Sequence, residues 1–289
     1  MEQLLGFALY MVAITSIFCI LAMSLDLQVG GCGLMNFGQV AFMLLGAYTT
    51  AIGVNADVNP YACMVLSSIV AAVFGVLMSL TVKNMSGTYW GILSLSAAEL
   101  IRLIFLNERW LADGANGLSV LVTVPYLHLT IFVCTVLVYL LMRTVWLSPF
   151  GRVIRMIREG DRLPLALGKN VLVFKAETMA IGGAVGGLAG SFYALLNSYI
   201  SPDDGLPIET FIVWAMIVVG GRGNVMGVVL GTVFVQFLFV GTRFLTNIVA
   251  INPDVLSALR LATIGVLIMV VMMWRPQGMI PERKRIYRI

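Results

Sequence analysis

Residues 175–199 read KAETMAIGGAVGGLAGSFYALLNSY, a run in which glycine, alanine and larger apolar residues dominate. Its small residues recur at spacings of three and four, so on a helix they form one close-packing face. A run of this length can cross the hydrocarbon core of a bilayer, which needs about 20 apolar residues in a helix. The stretch therefore predicts a transmembrane helix that packs closely against its neighbours.

Similar apolar runs fill most of the chain. Hydrophobic residues make up 60% and charged residues 11% of the 289 positions, with a mean hydropathy of +0.98, whereas soluble domains carry roughly 25% charged residues. This composition excludes a soluble globular enzyme, a disordered chain and a collagen-like fibre. We expect an all-α polytopic membrane protein, a single transmembrane domain over residues 1–289, with about nine segments and glycine-broken helices. The segments are about 3–25, 33–53, 60–82, 88–106, 125–147, 175–199, 208–222, 225–247 and 258–274.

Basic and acidic residues separate into different loops. Basic loops stay in the cytoplasm, and here lysine and arginine collect around one internal loop and in the C-terminal tail: Arg143, Arg152, Arg155, Arg158, Arg162, Lys169, Lys175, Arg275, Arg283, Lys284, Arg285 and Arg288. The remaining loops are mainly acidic: Asp57, Glu108, Asp113, Asp203, Asp204, Glu209 and Asp254. With an odd number of spans, the N-terminus lies outside and the C-terminus in the cytoplasm. The net charge of +4 therefore reflects loop placement and not a nucleic-acid partner.

The basic internal loop, residues 148–174, has the periodicity of a helix. Apolar residues alternate with arginines over 152–158 as in an amphipathic helix, and Pro149 suits its first turn. Residues 163–167 offer a second short apolar face that ends at Gly168, a helix C-cap residue. The residues alone fit equally a pair of helices resting on anionic lipid and a docking surface for a soluble partner.

Polar residues inside apolar segments are the candidates for a translocation pathway, because each charge costs at least ~2.5 kcal/mol at the bilayer centre. Glu99 and Arg102 lie three residues apart on one helix face, where they form either an internal ion pair or a solute ligand. Asn36 and Gln39, near the start of the second segment, can meet a polar solute or bond to neighbouring backbone.

The sequence lacks motifs for catalysis, metal binding and nucleotide binding. Its cysteines, Cys19, Cys32, Cys63 and Cys134, are scattered without CxxC spacing, and His128 is the single histidine, so we expect neither a metal site nor a disulfide. No GxxxxGK[ST] loop provides an ATP site. No nucleophile stands beside a base, so we do not expect an enzyme.

Three glycine clusters interrupt the apolar pattern, at 30–33, 182–190 and 220–223. The middle cluster predicts close helix packing. The other two, in which Val-Gly-Gly is followed by Cys-Gly or Arg-Gly, suggest a weak parallel repeat. We expect packing or hinge roles for Gly186, Gly190, Gly220, Gly221, Gly223 and Gly227.

These motifs together resemble one family, the LivM-type permeases of branched-chain amino acid ABC transporters, from about Leu25 to Met279. The most specific stretch is SPFGRVIRMIREGDR at 148–162 with LGKN at 167–170. Further matching stretches are 36–42, 46–48, 114–118, 189–193, 199–202, 219–231 and 275–279. Gly160 departs from the family's asparagine, and residues 111–117 keep only part of its pattern.

The resemblance implies a multi-pass permease of the cell inner membrane that imports a hydrophobic amino acid by alternating access. Two related permeases would form the pore, two cytoplasmic ATPases would bind ATP and Mg²⁺, and an external binding protein would deliver the solute; this chain itself would need no cofactor. It favours docking of an ATPase on the basic loop, through Gly151, Arg152, Arg155, Arg158, Glu159, Leu167 and Gly168. The alternatives are an importer of urea or short amides and a free-standing secondary transporter.

Overall fold

A computed structural model describes residues 2–81, 87–122, 124–248, 262, 265–266, 268–275 and 277–281. Most of these residues are helical, as the long apolar runs predict. In chain order the α helices are α1 Glu2–Asp26, α2 Gln39–Asn55, α3 Pro60–Thr81, α4 Gly87–Asn107, α5 Arg109–Ala112, α6 Leu127–Leu147, α7 Pro149–Glu159, α8 Arg162–Ala166, α9 Val171–Asn197, α10 Pro207–Gly220 and α11 Val225–Ile248. A π-helical turn, Leu27–Gly31, extends α1, and 3₁₀ turns form at Gly114–Asn116 and Pro202–Gly205.

Five helical stretches are long and apolar enough to cross a membrane: Gly6–Gly31, Pro60–Thr81, Tyr89–Asn107, Leu127–Leu147 and Val171–Asn197. The chain is therefore a mostly helical, multi-pass membrane protein. The count of nine spans stays a prediction. Helices α2 and α10 have 17 and 14 residues, fewer than the ~20 that a bilayer requires, and most of the predicted segment 258–274 lies outside the described residues.

Helix α9 occupies the centre of the fold, between α2 and α3. Its glycines face both neighbours, since a Cβ atom added at Gly190 would collide with the backbone of Met43, and one added at Gly187 would lie 2.6 Å from the Ala71 side chain. The hydroxyl of Thr50 donates to Ser191 Oγ across 2.8 Å. Small residues thus let three backbones approach closely, which is the main source of helix association inside a bilayer.

The two ends of the helices differ in charge. At the end that we call the basic end, α7 packs against the π-helical turn, where Ile154 meets Gly31, and α8 packs against α7. At the opposite end, the acidic end, strands β1 Leu118–Ser119 and β2 Tyr199–Ile200 pair antiparallel, with Leu118 opposite Ile200. Asp203 and Asp204 follow β2 in a 3₁₀ turn.

The hairpin of α10 and α11 depends on glycine at its crossing. A Cβ atom on Gly220 would collide with the backbone of Gly227, and one on Gly231 would overlap Gly220. The chain segment 277–281 then covers the end of α10, because Met279 N donates to Val219 O at 2.8 Å and Ile280 N donates to Gly220 O at 3.0 Å. These bonds satisfy carbonyl groups that a helix C-terminus leaves without partners.

Candidate functional site

Helix α7 begins at the basic end directly after α6. Ser148 caps it by accepting a hydrogen bond from Gly151 N at 3.3 Å, and Pro149 occupies the first turn. Ile154 and Ile157 are buried, Arg155 and Arg158 are partly buried, and Arg152 is exposed. The amphipathic pattern predicted for residues 152–158 therefore corresponds to an 11-residue helix with one face packed on the protein.

The arginines of α7 serve two different purposes. Arg155 donates from Nε to Gly151 O at 3.1 Å and from Nη2 to Trp146 O at 3.2 Å, so it fastens α7 to the end of α6. Arg158 donates from Nη1 to Gly30 O and so fastens α7 to the π-helical turn after α1. Arg152 and Glu159, in contrast, are exposed. Two of the predicted docking residues thus brace the loop, and two face outward.

Helix α8 and the residues after it expose an apolar surface at the basic end. Leu163, Leu165 and Leu167 are 58%, 57% and 59% exposed, and Gly168 follows in a left-handed conformation. Lys175 Nζ on α9 holds the segment in place through a bond of 2.8 Å to Asp161 Oδ2. Large exposed leucines without a covering element are typical of a protein docking surface.

A cleft of about 760 Å³ separates the α7–α8 segment from the body of the helices. Its walls include Gly33 and Trp90 on one side and Arg158, Arg162 and Leu163 on the other. The α7–α8 segment is therefore attached at its arginines and is not packed along its whole length.

The non-helical segment between α1 and α2 and the helix ends beside it contain a network of buried amide side chains. Asn36 Nδ2 donates to Gln28 Oε1 at 2.6 Å, and Gln28 Nε2 donates to Gln39 Oε1 at 3.1 Å. Gln39 Nε2 then donates to Ser24 Oγ at 2.7 Å, and Ser24 donates to Gly182 O on α9 at 2.5 Å. Asn36 and Gln39 are fully buried, so their polar groups meet other side chains of the same protomer, and their assignment to the pathway stays a prediction.

One buried carboxylate in this region is not among the predicted residues. Asp26, the last residue of α1, is 1% exposed, and its Oδ1 accepts a hydrogen bond from Gly223 N at 2.8 Å. This bond joins the two glycine clusters that look alike in sequence, because Gly30 lies against the same backbone nitrogen. Gln28 was missed as well. A signal was available, since Asp26 is the first charged residue after an apolar run that begins at Gln3.

Glu99 and Arg102 form the ion pair that their spacing predicts, with 2.6 Å between Arg102 Nη2 and Glu99 Oε1. A third residue joins them, because Asp203 Oδ1 lies 3.5 Å from Arg102 Nη1. The Glu99 side chain is 37% exposed and that of Arg102 14%. The pair thus lies between α4 and the 3₁₀ turn before α10 and reaches the surface at the acidic end.

The predicted packing and hinge glycines fall into two groups. Gly186 and Gly190 lie on the face of α9 that meets α2. The other four belong to the α10–α11 hairpin: Gly220, Gly221, Gly223 and Gly227. Gly221 has a φ of +110°, which side-chain-bearing residues rarely adopt, and its α-carbon touches Gly278 in the covering segment. The geometry accounts for close packing, and the hinge role stays a prediction.

The described residues include no group of three or more histidine, cysteine, aspartate or glutamate side chains able to hold a metal ion. Three of the four cysteines are buried, and Cys134 is partly exposed. At the basic end, the segment that carries the exposed leucines is connected through Arg158 to the π-helical turn that precedes the non-helical residues 33–38.

Comparison with known proteins identifies relatives over most of the chain. A family model described as the permease component of branched-chain amino acid transport systems matches residues 7–273. The high-affinity branched-chain amino acid permease LivM of Salmonella typhimurium is 28% identical over 92% of this chain and 68% of its own length. LivM of Escherichia coli is 27% identical over 93% and 68%, and the probable LivM of Methanocaldococcus jannaschii is 27% identical over 92% and 91%. No solved structure gives a significant match.

Proposed function

This chain belongs to the family of permease components of branched-chain amino acid transport systems, and we propose that it is the permease subunit of an ATP-driven importer for branched-chain or other hydrophobic amino acids. Its relatives are transport permeases and not enzymes. The protein would move the solute by alternating access, in which the two ends of the pathway open in turn.

The observation that carries this proposal is the construction of the α7–α8 segment. Arg155 and Arg158 point inward and attach α7 to α6 and to the π-helical turn. Leu165 and Leu167 are exposed outside the cleft, and Leu163 is exposed at its wall. A surface that binds a partner and is fastened to a helix break has the form required to convert closure of an ATPase into movement of the spans.

The partners that we propose are those of an ABC importer. A second homologous permease would complete the pathway, and two cytoplasmic subunits would bind ATP and Mg²⁺. A solute-binding protein would dock on the acidic end. We place the protein in the cell inner membrane with the basic end in the cytoplasm and the N-terminus outside, because lysine and arginine collect at the cytoplasmic side.

The test is the ATPase activity of the full co-expressed complex in proteoliposomes, with the binding protein loaded in turn with leucine, alanine and urea. We expect leucine to stimulate hydrolysis. The variant Leu165→Glu places a charge on the exposed leucine surface and is expected to reduce stimulation roughly tenfold, as loss of an interface anchor does. Lys169→Glu is the matched control, because Lys169 is equally exposed in the same segment but contributes no apolar contact.

The alternatives predict different results in the same assay. An importer of urea or short amides would respond to urea and not to leucine, while keeping its dependence on Leu165. A free-standing secondary transporter would carry solute without ATP and without any co-purifying ATPase, and it would tolerate Leu165→Glu. Either pattern would replace the proposed function.

A further inference from the structure

Three aromatic side chains form a patch in the seam between α4 and α10. The Phe37 ring stacks on Trp214, with 5.0 Å between the ring centroids, and lies 5.8 Å from the Phe211 ring. The Trp214 indole donates to Asn36 O at 2.9 Å, which fixes its orientation. Phe211 is 44% exposed, and Phe37 and Trp214 are half-buried. We call Phe37, Phe211 and Trp214 the aromatic patch.

The aromatic patch lies level with the middle of a membrane-spanning helix. Phe37 N donates to Ser94 Oγ at 3.0 Å, and a Cβ atom on Gly38 would approach Ala98 to 3.3 Å. Ser94 and Ala98 are the central residues of α4, which has 21 residues and so a length of about 30 Å. The patch is therefore near the centre of the hydrocarbon layer.

Two polar features show that this seam does not face lipid. First, residues 33–38 are not helical, and within the described part of the chain the carbonyl groups of Met35 and Phe37 accept no hydrogen bond. Non-helical backbone at this depth occurs only where protein or a water-filled cavity covers it. Second, Glu99 and Arg102 reach the surface along the same seam, and charged side chains in a span face the protein interior or an aqueous cavity.

The outer faces of α3 and α6 are apolar at their centres. Their central turns expose large apolar side chains such as Ile69 on α3 and Leu137 on α6, which are 54% and 58% exposed. Such surfaces suit contact with lipid. Helix α4 also exposes large apolar side chains, since Ile92 and Leu100 are 61% and 57% exposed. The features that set the α4–α10 seam apart as the side turned toward the pathway are therefore its non-helical backbone and the Glu99–Arg102 pair.

We propose that the aromatic patch binds the hydrocarbon side chain of the transported solute, an inference that rests on the proposed import of hydrophobic amino acids. Aromatic rings offer a large apolar surface at little conformational cost. The carbonyl groups of Met35 and Phe37, at the edge of the same patch, have free lone pairs that can accept hydrogen bonds from an ammonium group. An apolar surface beside ammonium acceptors suits an amino acid with a branched alkyl side chain.

The first experiment compares uptake of leucine and alanine by the complete reconstituted complex. Phe211→Ala removes the exposed ring of the patch, and Phe132→Ala is the matched control, because Phe132 is 51% exposed on α6, where it lines an apolar cavity outside the α4–α10 seam. We divide each leucine-to-alanine uptake ratio by the wild-type ratio, so that the preference of the binding protein cancels. Phe211→Ala is expected to lower this ratio roughly tenfold, the scale of discrimination by side-chain contacts in an apolar pocket, and Phe132→Ala to leave it unchanged.

The second experiment tests the exposure of the seam without reference to the solute. Phe211→Cys and Phe132→Cys are each made in a Cys134→Ser background and treated in the complex with an anionic, water-soluble methanethiosulfonate. We expect modification of Phe211→Cys, slowed by leucine, and none of Phe132→Cys.

The results separate failure of this inference from failure of the proposed function. If the wild-type complex imports leucine but Phe211→Ala lowers leucine and alanine uptake equally, or Phe211→Cys resists the reagent, the aromatic patch is not the binding surface. If the wild-type complex imports no hydrophobic amino acid, the proposed function fails and the assigned solute fails with it. Modification of Phe211→Cys would then still show that water reaches the seam.

Discussion

Single glycines set how closely the central helices of this protein approach. Gly190 on α9 lies against the backbone of α2, and a Cβ atom there would also come within 2.8 Å of Ala47 N. Backbone cannot move aside as a flexible side chain can, so α2 and α9 would have to separate. We expect Gly190→Ala to reduce stability by about 1–3 kcal/mol, the usual cost of overpacking.

The measurement for this prediction is the thermal midpoint of the detergent-solubilised protein, followed by size-exclusion chromatography. Gly6→Ala is the control, because Gly6 is also helical but no atom lies within 4 Å of its added Cβ. Alanine is the better helix former, so the control should be neutral or slightly stabilising. Equal midpoints for the two variants would contradict the packing role of Gly190.

A second prediction concerns the hydrogen bond between the buried carboxylate of Asp26 and Gly223 N. Asp26→Leu leaves the Gly223 N–H without its acceptor inside the protein, which costs about 1–3 kcal/mol. Asp26→Asn keeps an acceptor oxygen at the same place and should retain most of the folded yield. We would compare the yields of monodisperse protein for the two variants, and a leucine variant that matches the asparagine variant would show that the bond to Gly223 is unimportant.

The hydropathy pattern predicts some of the buried charged residues and not others, for a physical reason. Glu99 and Arg102 stand in the middle of an apolar run, where a charge is expensive, and their pairing follows from the helical period. Asp26 stands at the end of such a run, where an acid normally belongs to an aqueous loop. Only the three-dimensional structure shows that the helix continues past Asp26 through the π-helical turn, so that the Asp26 side chain is buried.

At the scale of elements, α7 owes its position to one buried residue as much as to its arginines. Ile154 is 0% exposed and meets Gly31 of the π-helical turn. Ile154→Ala removes this contact, at a cost of about 2–5 kcal/mol, and should loosen α7 from the fold without unfolding the spans. We expect faster tryptic cleavage within residues 152–162 in proteoliposomes.

The control for this prediction is Val153→Ala, one residue earlier on α7, where the side chain is only partly buried. Its cleavage rate should stay close to that of the wild type. Accelerated cleavage in Val153→Ala alone would mean that the buried face of α7 is not the one assigned here.

The lengths of the elements were predictable only in part. Long helices such as α3 and α6 match the apolar runs that predict them, because burial in lipid requires both length and apolar composition. The run at 33–53 does not reveal the break, since residues 33–38, Gly-Leu-Met-Asn-Phe-Gly, include three large apolar side chains and no charged one. Hydropathy reflects the surroundings of a side chain and does not show whether its backbone is helical. The start of α2 at Gln39 therefore could not be predicted from the sequence.

At the scale of the whole molecule, the separation of charge between the two ends predicts its orientation in the membrane. The basic end exposes Arg152, Arg162 and Lys169, whereas the acidic end exposes Asp203 on a 3₁₀ turn. Retention of basic loops in the cytoplasm then places residue 162 inside and residue 203 outside.

We expect Asp203→Cys, in a Cys134→Ser background, to react with a membrane-impermeant maleimide in spheroplasts, and Arg162→Cys to react only in inverted vesicles. Each variant is the control for the other, because both positions are exposed and lie at opposite ends of the helices. The reverse labelling pattern would put the leucine surface of α8 outside the cell, where no ATP is available, and would overturn both the orientation and the docking role together.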